Sequence, residues 1–365
     1  MSTRKKKILT VVGARPQFVK AAALSPALAA RAADAVEVIV HTGQHFDDAM
    51  SDVFFREMRI PAPAYNLAIG GGTHGENTGR MIEAIEKVLV VERPDVVMVF
   101  GDTDSTLAAA IATSKLGILL AHVEAGLRSH RRAMPEEINR VVTDHVSDIL
   151  YTPSAVSTAT LRGEGIPAGR IVEAGDVMCD VVRRFTSMAL ERSRILHQLD
   201  LTPGAFHLLT LHRKENTDDE AVLRRILAGL DASPKPVIFP MHPRTTKMLA
   251  QFGLRLPSSV RAIEPTGYLD TLRLVSTAAL IITDSGGVQK EAYFVGQPCI
   301  ILREETEWTE LVDTGANVLA GSDTARIATL LAAAPWSIPV QGLYGDGRAA
   351  EAIAWDLLDR LAAGT

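Results

Sequence analysis

The chain has 365 residues, of which 47% are hydrophobic and 22% are charged, and this is enough apolar sequence to bury the cores of two domains. Its formal net charge is −5, and its one basic run, residues 4–7, precedes the first predicted strand, so we expect no nucleic-acid partner. The apolar run over residues 8–12 is too short for a signal peptide or a membrane span, which predicts a cytoplasmic protein with no membrane partner.

Short β-branched runs alternate along the chain with Ala- and Leu-rich segments of helical period, which is typical of β-α units on a parallel sheet. The first series of predicted strands covers residues 8–12, 36–40, 96–100, 118–123, 149–151 and 171–173. The second series covers residues 206–211, 237–240, 260–263, 280–283, 299–302 and 317–319. The sequence therefore predicts an α/β fold with two Rossmann-like domains in tandem.

The two series set the predicted domain limits. We place an N-terminal domain at residues 1–175, a C-terminal domain at 176–348, and a last helix within 349–365 that can pack on either domain. In parallel sheets ligands bind outside the carboxyl ends of the strands, so two such sheets facing each other would form one interdomain cleft. The loops that follow the strands are therefore the places to look for chemistry.

The first strand leads into Gly13-Ala14-Arg15-Pro16, and Lys20 follows one turn into the next helix. A guanidinium at this place can form two hydrogen bonds with phosphate oxygens. By itself, the segment is better explained as an ordinary strand-helix turn that carries surface cations.

Carboxylates follow two neighbouring strands of the first domain. Asp102 comes after the strand at 96–100, and Glu124 comes after the strand at 118–123. A third carboxylate, Glu136, follows Pro135 at a predicted helix start. Carboxylates crowded near an anion site raise one another's pKa, which suits general acid and base catalysis. Taken singly, Asp102 is better explained as a helix N-cap and Glu136 as an acid favoured by the helix dipole.

Strand ends of the second domain carry histidines. His212 follows the strand at 206–211, and His242 follows the strand at 237–240. We expect His212 to face the carboxylates across the cleft, where it can exchange protons or donate to a leaving phosphate. A lone histidine is otherwise a structural hydrogen-bonding residue.

The turn Asp284-Ser285-Gly286-Gly287 follows an apolar strand and precedes a helix. Its glycines let phosphate approach the backbone, and the free amides and dipole of the helix start favour an anion. Glu291, one turn into this helix, is placed to accept hydrogen bonds from ribose hydroxyls. The turn therefore predicts a phosphate-binding site, and an ordinary Ser-capped helix is an equally good alternative.

Metal-binding patterns are weak in this sequence. Cys179 and Cys299 are isolated, so they predict neither a disulfide nor a thiolate zinc site. His41 and His45 have the i, i+4 spacing of a metal site, but Gly43 between them indicates a loop. We therefore expect no metal and no cofactor.

Taken together, these motifs resemble the non-hydrolysing UDP-N-acetylglucosamine 2-epimerase family, whose fold is similar to that of the glycosyltransferases of the B type. The resemblance covers nearly the whole chain. It is carried by Gly13-Ala14-Arg15-Pro16, Thr42-Gly43-Gln44-His45, Gly101-Asp102-Thr103, His122-Val123-Glu124-Ala125-Gly126-Leu127-Arg128, Pro135-Glu136-Glu137, His212-Arg213, Thr283-Asp284-Ser285-Gly286-Gly287 and Tyr344-Gly345-Asp346-Gly347.

The resemblance implies a UDP-sugar as the binding partner, and it also suggests a homodimer. The residues that it implies for the chemistry are Asp102, Glu124, Glu136 and His212. Those that it implies for binding UDP and the rest of the substrate are Arg15, Lys20, Arg128, Arg140, His212, His242, Ser285, Gly286, Gly287, Glu291 and Trp308.

The implied reaction inverts C2 of a UDP-2-acetamido sugar and supplies precursors of surface polysaccharides. It would convert UDP-GlcNAc to UDP-ManNAc or act on the corresponding 2,3-diacetamido glucuronate. No carbonyl flanks C2, so its proton is not acidic enough for enolisation. Elimination of UDP across C1 and C2 gives a glycal instead, and UDP adds back after C2 is reprotonated from the other face.

Two departures from the family pattern concern the sugar and a second site. Members acting on UDP-GlcNAc typically read Thr-Glu-Arg-Pro-Glu where this chain has Thr306-Glu307-Trp308-Thr309-Glu310. Trp308 at that place resembles the branch acting on UDP-2,3-diacetamido-2,3-dideoxy-glucuronate. Gln44 and His45 match a possible second, activating site, whereas Asp47 and Gly71 differ from the residues expected there.

Three other functions remain open from the sequence. A glycosyltransferase of the same architecture would bind UDP in the same way and transfer the sugar to an acceptor. A hydrolysing epimerase would release UDP. A protein that senses UDP-sugars would bind them without chemistry.

Overall fold

The computed structural model of the protein describes residues 4–44, 60–338 and 342–364. The described residues fall into two compact units. The first holds the chain up to Val181 together with the chain from Gly342 onward, and the second holds the described residues between Val182 and Gln341. Among the described helices, none is both long and apolar enough to cross a bilayer.

The first unit contains a seven-stranded parallel sheet in the order β3-β2-β1-β4-β5-β6-β7. Its strands are β1 Lys6–Val12, β2 Ala35–His41, β3 Tyr65–Asn66, β4 Val96–Phe100, β5 Leu119–Val123, β6 Ile149–Thr152 and β7 Ile171–Glu173. The helices that follow them are α1 Arg15–Ala29, α2 His74–Glu92, α3 Asp104–Lys115, α4 Pro135–Val146 and α5 Ala155–Gly163.

All six strands predicted for this part of the chain are present, and β3 was missed. It has only two residues, which pair with the end of β2, so it produces no hydrophobic run. The central strand β4 is buried along its whole length, as expected for a parallel strand covered on both faces.

The two helices α2 and α3 cover one face of this sheet and pack against each other. Met81, Ile85 and Leu89 recur at helical spacing on the buried side of α2, and burial of each such side chain contributes about 1.5–3 kcal/mol. The facing side of α3 offers small residues such as Ala108 and Ala112. The small side chains let α2 approach closely, and this packing fixes the start of α3 beside the sheet.

The second unit contains a six-stranded parallel sheet in the order β10-β9-β8-β11-β12-β13. Its strands are β8 His207–Thr210, β9 Val237–Pro240, β10 Val260–Ile263, β11 Leu280–Thr283, β12 Cys299–Ile301 and β13 Asn317–Leu319. The helices are α6 Val177–Arg192, which begins in the first unit, α7 Ile195–Leu199, α8 Lys214–Thr217, α9 Glu220–Leu230, α10 Pro243–Phe252, α11 Tyr268–Thr277, α12 Gly286–Phe294, α13 Thr309–Asp313 and α14 Thr324–Ala333.

The last helix, α15 Ala349–Ala363, belongs to the first unit and packs against α1. The Asp180 carboxylate accepts hydrogen bonds from the first backbone amides of α15, at 3.1 and 3.0 Å. The Asp176 amide donates to the Tyr344 carbonyl at 2.9 Å. The chain around 342–348 therefore lies with the first unit, whereas we had grouped it with the second, and the division falls inside α6, six residues beyond the predicted limit at 175.

Both sheets change direction at a central strand. In the first unit the chain runs from β1 outward to β3 and then returns to β4 on the other side of β1. In the second it runs from β8 outward to β10 and returns to β11 on the other side of β8. Ligands of open α/β sheets bind at such switch points, and the strands that meet there carry the candidate residues.

Candidate active site

Asp102 lies at the switch point of the first unit, directly after β4. Its carboxylate accepts hydrogen bonds from Arg140 Nε and Nη2, at 3.0 and 2.6 Å, and its side chain is 30% exposed. The preceding residue, Gly101, has a φ of +59°, which a glycine adopts without strain. Asp102 is thus an oriented carboxylate that remains accessible from solvent.

Lys20 and Glu124 form an ion pair beside Asp102. Lys20 comes from α1 and Glu124 from the end of β5, and both side chains are about nine-tenths buried. Glu124 has a left-handed φ of +70°. A Cβ atom at Gly101 would lie 3.1 Å from Lys20 Nζ and 3.8 Å from Glu124 Oε2. The structure therefore brings together the predicted phosphate ligand Lys20 and two of the three predicted carboxylates.

Helix α4 carries two adjacent glutamates with different environments. Glu137 is buried and accepts hydrogen bonds from the Ser129 amide and hydroxyl, from the His130 amide and from Arg140 Nη1, at 2.8 to 2.9 Å. Burial acts to raise the pKa of Glu137, but these hydrogen bonds outweigh it and hold the pKa below its usual value. Glu136 is exposed on the first turn. Its i, i+4 spacing puts it on the same face of α4 as Arg140.

Arg128 lies in a buried network of the first unit. Its guanidinium donates to Glu164 Oε1 and Oε2, at 2.8 and 2.7 Å, and to Asp144 Oδ2 at 2.7 Å. The residue is only 8% exposed. The structure thus gives the predicted substrate ligand Arg128 partners inside its own unit, where it ties α4 and α5 to the loop after β5.

The loop after β1 is held by Gln17, which the sequence analysis did not single out. Gln17 Oε1 accepts hydrogen bonds from the amides of Gly13 and Ala14, at 2.7 and 3.0 Å. Its Nε2 donates to the Phe100 carbonyl at 3.1 Å. Arg15 is the first residue of α1. The available signal was the position of Gln17, which is that of the third helical residue in a capping box.

The possible second site is described only in part. Gln44 Oε1 accepts hydrogen bonds from the Ser105 amide and hydroxyl, at 3.1 and 2.6 Å, so Gln44 holds the start of α3. A Cβ atom at Gly13 would collide with the hydroxyls of Ser105 and Thr42. His45 and Asp47 lie outside the described residues.

Asp284 is the centre of the second unit's switch point. Its Oδ2 accepts hydrogen bonds from the amides of His212 and Arg213, at 3.0 and 2.9 Å, and from Asn216 Nδ2 at 3.2 Å. Burial acts to raise the pKa of Asp284, but His212 and the backbone donors lower it below its usual value. A fully buried anion therefore fixes the loop after β8 from the adjacent β11.

His212 is oriented by this anion. Its Nδ1 lies 3.2 Å from Asp284 Oδ1, and its side chain is 40% exposed. Because Nδ1 faces the Asp284 carboxylate, Nε2 is the ring nitrogen left for a ligand. The His242 ring lies with its centroid 5.6 Å from that of His212, and burial and the nearby His212 lower the pKa of His242. His242 Nδ1 accepts from the Arg244 amide at 3.1 Å, as the cap of α10.

Helix α12 begins at Gly286, directly after Ser285. The Ser285 side chain makes no capping hydrogen bond within the described chain; its amide donates to Thr283 Oγ1 at 2.9 Å. The alternative of an ordinary Ser-capped helix therefore fails. The first amides of α12 and the Ser285 hydroxyl together form an uncapped helix start next to His212, which is the geometry that attracts phosphate.

Trp308 closes one side of this helix start. Its Nε1 would lie 3.4 Å from a Cβ atom at Gly286, and Lys290 Nζ lies 3.9 Å from the centroid of its indole ring. Trp308 and Lys290 are 5% and 2% exposed. Glu291, the predicted ribose ligand, is also largely buried on α12. Among the described residues, no cluster of His, Cys, Asp or Glu has the arrangement of a metal site.

The comparisons of this chain with known proteins all indicate the same family. A family model described as UDP-N-acetylglucosamine 2-epimerase matches residues 28–358. The UDP-2,3-diacetamido-2,3-dideoxy-D-glucuronate 2-epimerase of Pseudomonas aeruginosa is 48% identical over 95% of this chain and 98% of its own length. The UDP-N-acetylglucosamine 2-epimerase of Methanocaldococcus jannaschii is 44% identical over 88% of this chain and 90% of its own length.

Solved structures agree with this result. The crystal structure of the Methanocaldococcus jannaschii enzyme in complex with UDP-GlcNAc and UDP has a TM-score of 0.86 at 41% identity, and the match covers 96% of this chain and 99% of that one. The similarity confirms the predicted fold of the glycosyltransferase B type, with two α/β units that each contain a parallel sheet. The chain belongs to the UDP-N-acetylglucosamine 2-epimerase family, and it is an isomerase that epimerises a UDP-sugar at C2.

Proposed function

We propose that the enzyme inverts C2 by eliminating UDP and adding it back. A base removes the C2 proton while the C1–O bond breaks, which leaves a 2-acetamido glycal and UDP. C2 is then protonated from the opposite face, and the β-phosphate oxygen of UDP bonds to C1 again. The observation that supports this most directly is the pair of carboxylates, Asp102 and Glu124, at adjacent strand ends of the first unit.

The second unit would hold the UDP. The uncapped start of α12 supplies backbone amides, and the Ser285 hydroxyl adds a donor. His212, whose Nδ1 is held by Asp284, would donate from Nε2 to the departing phosphate. Glu291 on the same helix would accept hydrogen bonds from the ribose, and His242 would bind phosphate oxygens. Arg15, at the start of α1 in the first unit, is the further phosphate ligand that the family resemblance implies. These donors both stabilise UDP as a leaving group and retain it for re-addition.

The first unit would carry the acid and base groups. Arg140 orients Asp102 through two hydrogen bonds, Lys20 neutralises Glu124, and Glu136 is exposed on the face of α4 that carries Arg140. Once the substrate phosphate attracts Lys20, Glu124 would be released for proton transfer. Asp102, Glu124 and Glu136 would then supply the carboxylates that the reaction requires on the two faces of the sugar.

We take the UDP-2,3-diacetamido-2,3-dideoxy-glucuronate as the first candidate substrate. The Pseudomonas aeruginosa relative that carries this substrate in its name is 48% identical over nearly the full length of both chains. Trp308 beside the helix start, in place of an arginine, supports the same choice. UDP-GlcNAc is the second candidate, because the Methanocaldococcus jannaschii relative named for it is 44% identical.

Incubation of the purified enzyme with each sugar in D2O tests these proposals. We expect deuterium at C2 of the substrate and of its epimer, with faster exchange for the diacetamido uronate. If only UDP-GlcNAc exchanges, the choice of sugar is wrong. Transfer to an added acceptor with no deuterium at C2 would instead indicate a glycosyltransferase, and accumulation of free UDP and free sugar would indicate a hydrolysing epimerase.

A homodimer in the cytoplasm, serving surface polysaccharide synthesis, completes the proposal. The assignment to the cytoplasm is supported by the proposed substrate, which is a nucleotide-activated sugar precursor. Val90, Val91 and Leu116, which are 56%, 71% and 39% exposed at the ends of α2 and α3, offer apolar side chains for a subunit contact. Light scattering during size-exclusion chromatography should give twice the mass of 39.3 kDa, and a monomer mass would contradict the dimer.

A further inference from the structure

His122 is buried beneath the candidate carboxylates, and its role goes beyond those assigned above. We infer that His122 is a doubly protonated imidazolium that holds the Gly101 carbonyl and thereby positions the carboxylate of the next residue, Asp102. This inference rests on the proposed role of Asp102 in C2 chemistry.

Both ring nitrogens of His122 have short hydrogen bonds. Nε2 lies 2.8 Å from the carbonyl oxygen of Gly101, and Nδ1 lies 2.7 Å from Asp144 Oδ1. His122 is 1% exposed and Asp144 is fully buried, so water does not compete for either contact. His122 is the fourth residue of β5 and pairs with Val99 of β4, which fixes its backbone next to the strand that ends at Gly101.

The chemistry of the two partners fixes the protonation of the ring. A carbonyl oxygen only accepts, so Nε2 must carry a proton. Asp144 Oδ2 already accepts hydrogen bonds from the Gly126 amide at 3.1 Å and from Arg128 Nη1 at 2.7 Å. Such donors stabilise the ionised carboxylate, which then accepts from Nδ1 as well. Two acceptors require two N–H donors, and the ring with two donors is the cation.

The charges around the ring balance this cation. Asp144 faces both His122 and Arg128, and Glu164 faces Arg128 from α5. His145, at the end of α4, contacts the outer side of Glu164 at 3.1 Å and is 45% exposed. The two buried cations and the two carboxylates form a chain that ends at the surface. A buried ion cluster of this kind is stable only when its members are fully hydrogen-bonded.

The hydrogen bond to Gly101 connects the cluster to the reaction. The Gly101 amide donates to the Val123 carbonyl at 3.0 Å, and its carbonyl accepts from His122, so the peptide before Asp102 is held at both ends. On the other side of the same loop, Asn139 Nδ2 donates to the Asp102 carbonyl at 2.9 Å. His122 is therefore a positioning residue, since its ring contacts the backbone before Asp102.

The protonation state is tested directly by NMR on the full-length protein labelled with 15N-histidine. A free histidine has a pKa of about 6.5 and is neutral at pH 8. We expect the His122 ring to show protons on both nitrogens at pH 8, because each nitrogen faces an acceptor. A ring with one protonated nitrogen at pH 8 would overturn the inference, because Asp144 would then hold the proton. This measurement needs no variant and no activity.

The positioning role is tested with His122→Gln, and His145→Gln is the matched control at the surface end of the same cluster. We expect His122→Gln to lower kcat roughly 100-fold, since a displaced catalytic group costs about this much. UDP affinity and KM should stay near the wild-type values, because the hydrogen bonds of the His122 ring go to Gly101 and Asp144 and to no proposed UDP ligand. His145→Gln should leave kcat unchanged.

The rate of each variant is divided by its measured concentration of UDP-binding sites. A smaller fraction of folded protein then does not lower the kcat that is compared. A kcat for His122→Gln equal to that of the wild type would overturn the positioning role, as would an equal loss in His145→Gln. If the wild-type enzyme itself exchanges no C2 proton with D2O, the proposed function fails, whereas the NMR result still decides the charge on His122.

Discussion

The two switch points use different kinds of groups. In the first unit, charged side chains hold one another: Arg140 orients Asp102, and Lys20 pairs with Glu124. In the second unit, the backbone amides at the start of α12 have no side-chain cap, and one buried carboxylate, Asp284, holds the loop that carries His212. Side-chain carboxylates suit proton transfer, whereas backbone amides suit anion binding. Chemistry and nucleotide binding should therefore be separable by substitution.

The largest expected effect is on the chemistry of the first unit. Asp102→Asn keeps the shape of the side chain but removes a proposed proton-transfer group, so we expect C2 exchange in D2O to fall about 1000-fold. UDP affinity, measured by calorimetry, should stay at the wild-type value. Asp34→Asn, at a half-exposed carboxylate of the same unit, is the control. If Asp102→Asn exchanges at the wild-type rate, Asp102 has no part in proton transfer.

A smaller effect is expected when the anchor of the second unit is removed. In Asp284→Asn the amide no longer stabilises a proton on His212 Nδ1, and we expect kcat to fall about 100-fold because a donor to the leaving phosphate is misoriented. Asp231→Asn, at an exposed carboxylate of the second unit, is the control. An unchanged kcat in Asp284→Asn would show that His212 works without this carboxylate.

The same substitution has a defined dependence on pH. The pKa of Asp284 is lowered in the folded protein, so its contribution to stability is present above the unfolded value of about 3.9 and is lost as the pH falls through the folded value. The wild type should exceed Asp284→Asn in free energy of unfolding by about 1–3 kcal/mol at pH 7. Urea titrations should show this difference shrinking below pH 4, and a constant difference would contradict the assignment.

Sugar preference should respond less strongly. Trp308→Arg replaces the indole over Lys290 Nζ with a second cation, and we expect it to lower the ratio of kcat/KM for the diacetamido uronate over UDP-GlcNAc about tenfold. The matched control is Trp355→Arg, at a half-exposed tryptophan of the first unit, which should leave the ratio unchanged. An unaltered ratio in Trp308→Arg would remove Trp308 from substrate selection.

An effect of similar size is expected on UDP binding at the helix start, and this experiment distinguishes ligand binding from helix capping. Ser285→Ala should weaken UDP binding about tenfold, since it removes one donor to a charged group, and leave thermal stability unchanged. Asp219→Ala is the contrast, because the Asp219 carboxylate accepts from Ala221 and Val222 amides at 2.8 and 3.1 Å. That substitution should cost about 1 kcal/mol of stability and leave UDP binding intact. A loss of stability in Ser285→Ala would restore the capping role.

Much of the fold followed from the sequence because parallel strands are continuous apolar runs, and β4 and β11 are both fully buried. The candidate loops followed because they come directly after such runs. The direction of individual side chains did not follow. Glu136 and Glu137 are neighbours at one helix start, and only the pairing of Glu137 with the loop at Ser129 distinguishes them.

Contacts between segments that are distant along the chain could not be predicted from the sequence either. The role of Asp284 depends on β11 lying next to β8, and Arg128 turns inward because Asp144 and Glu164 reach it from two helices. Gln17 binds Phe100, 83 residues further along the chain. Such pairs are set by the order of strands in the sheet, which a local pattern does not contain.

Elimination of UDP is the central claim, and a doubly labelled experiment tests it most directly. UDP-sugar carrying 18O in the bond between C1 and the β-phosphate is incubated with the enzyme in D2O, and the unreacted substrate is recovered. Because the C1–O bond breaks and the phosphate of retained UDP rotates, we predict 18O in the non-bridging positions together with deuterium at C2. Deuterium at C2 with the 18O still entirely in the bridge would contradict elimination.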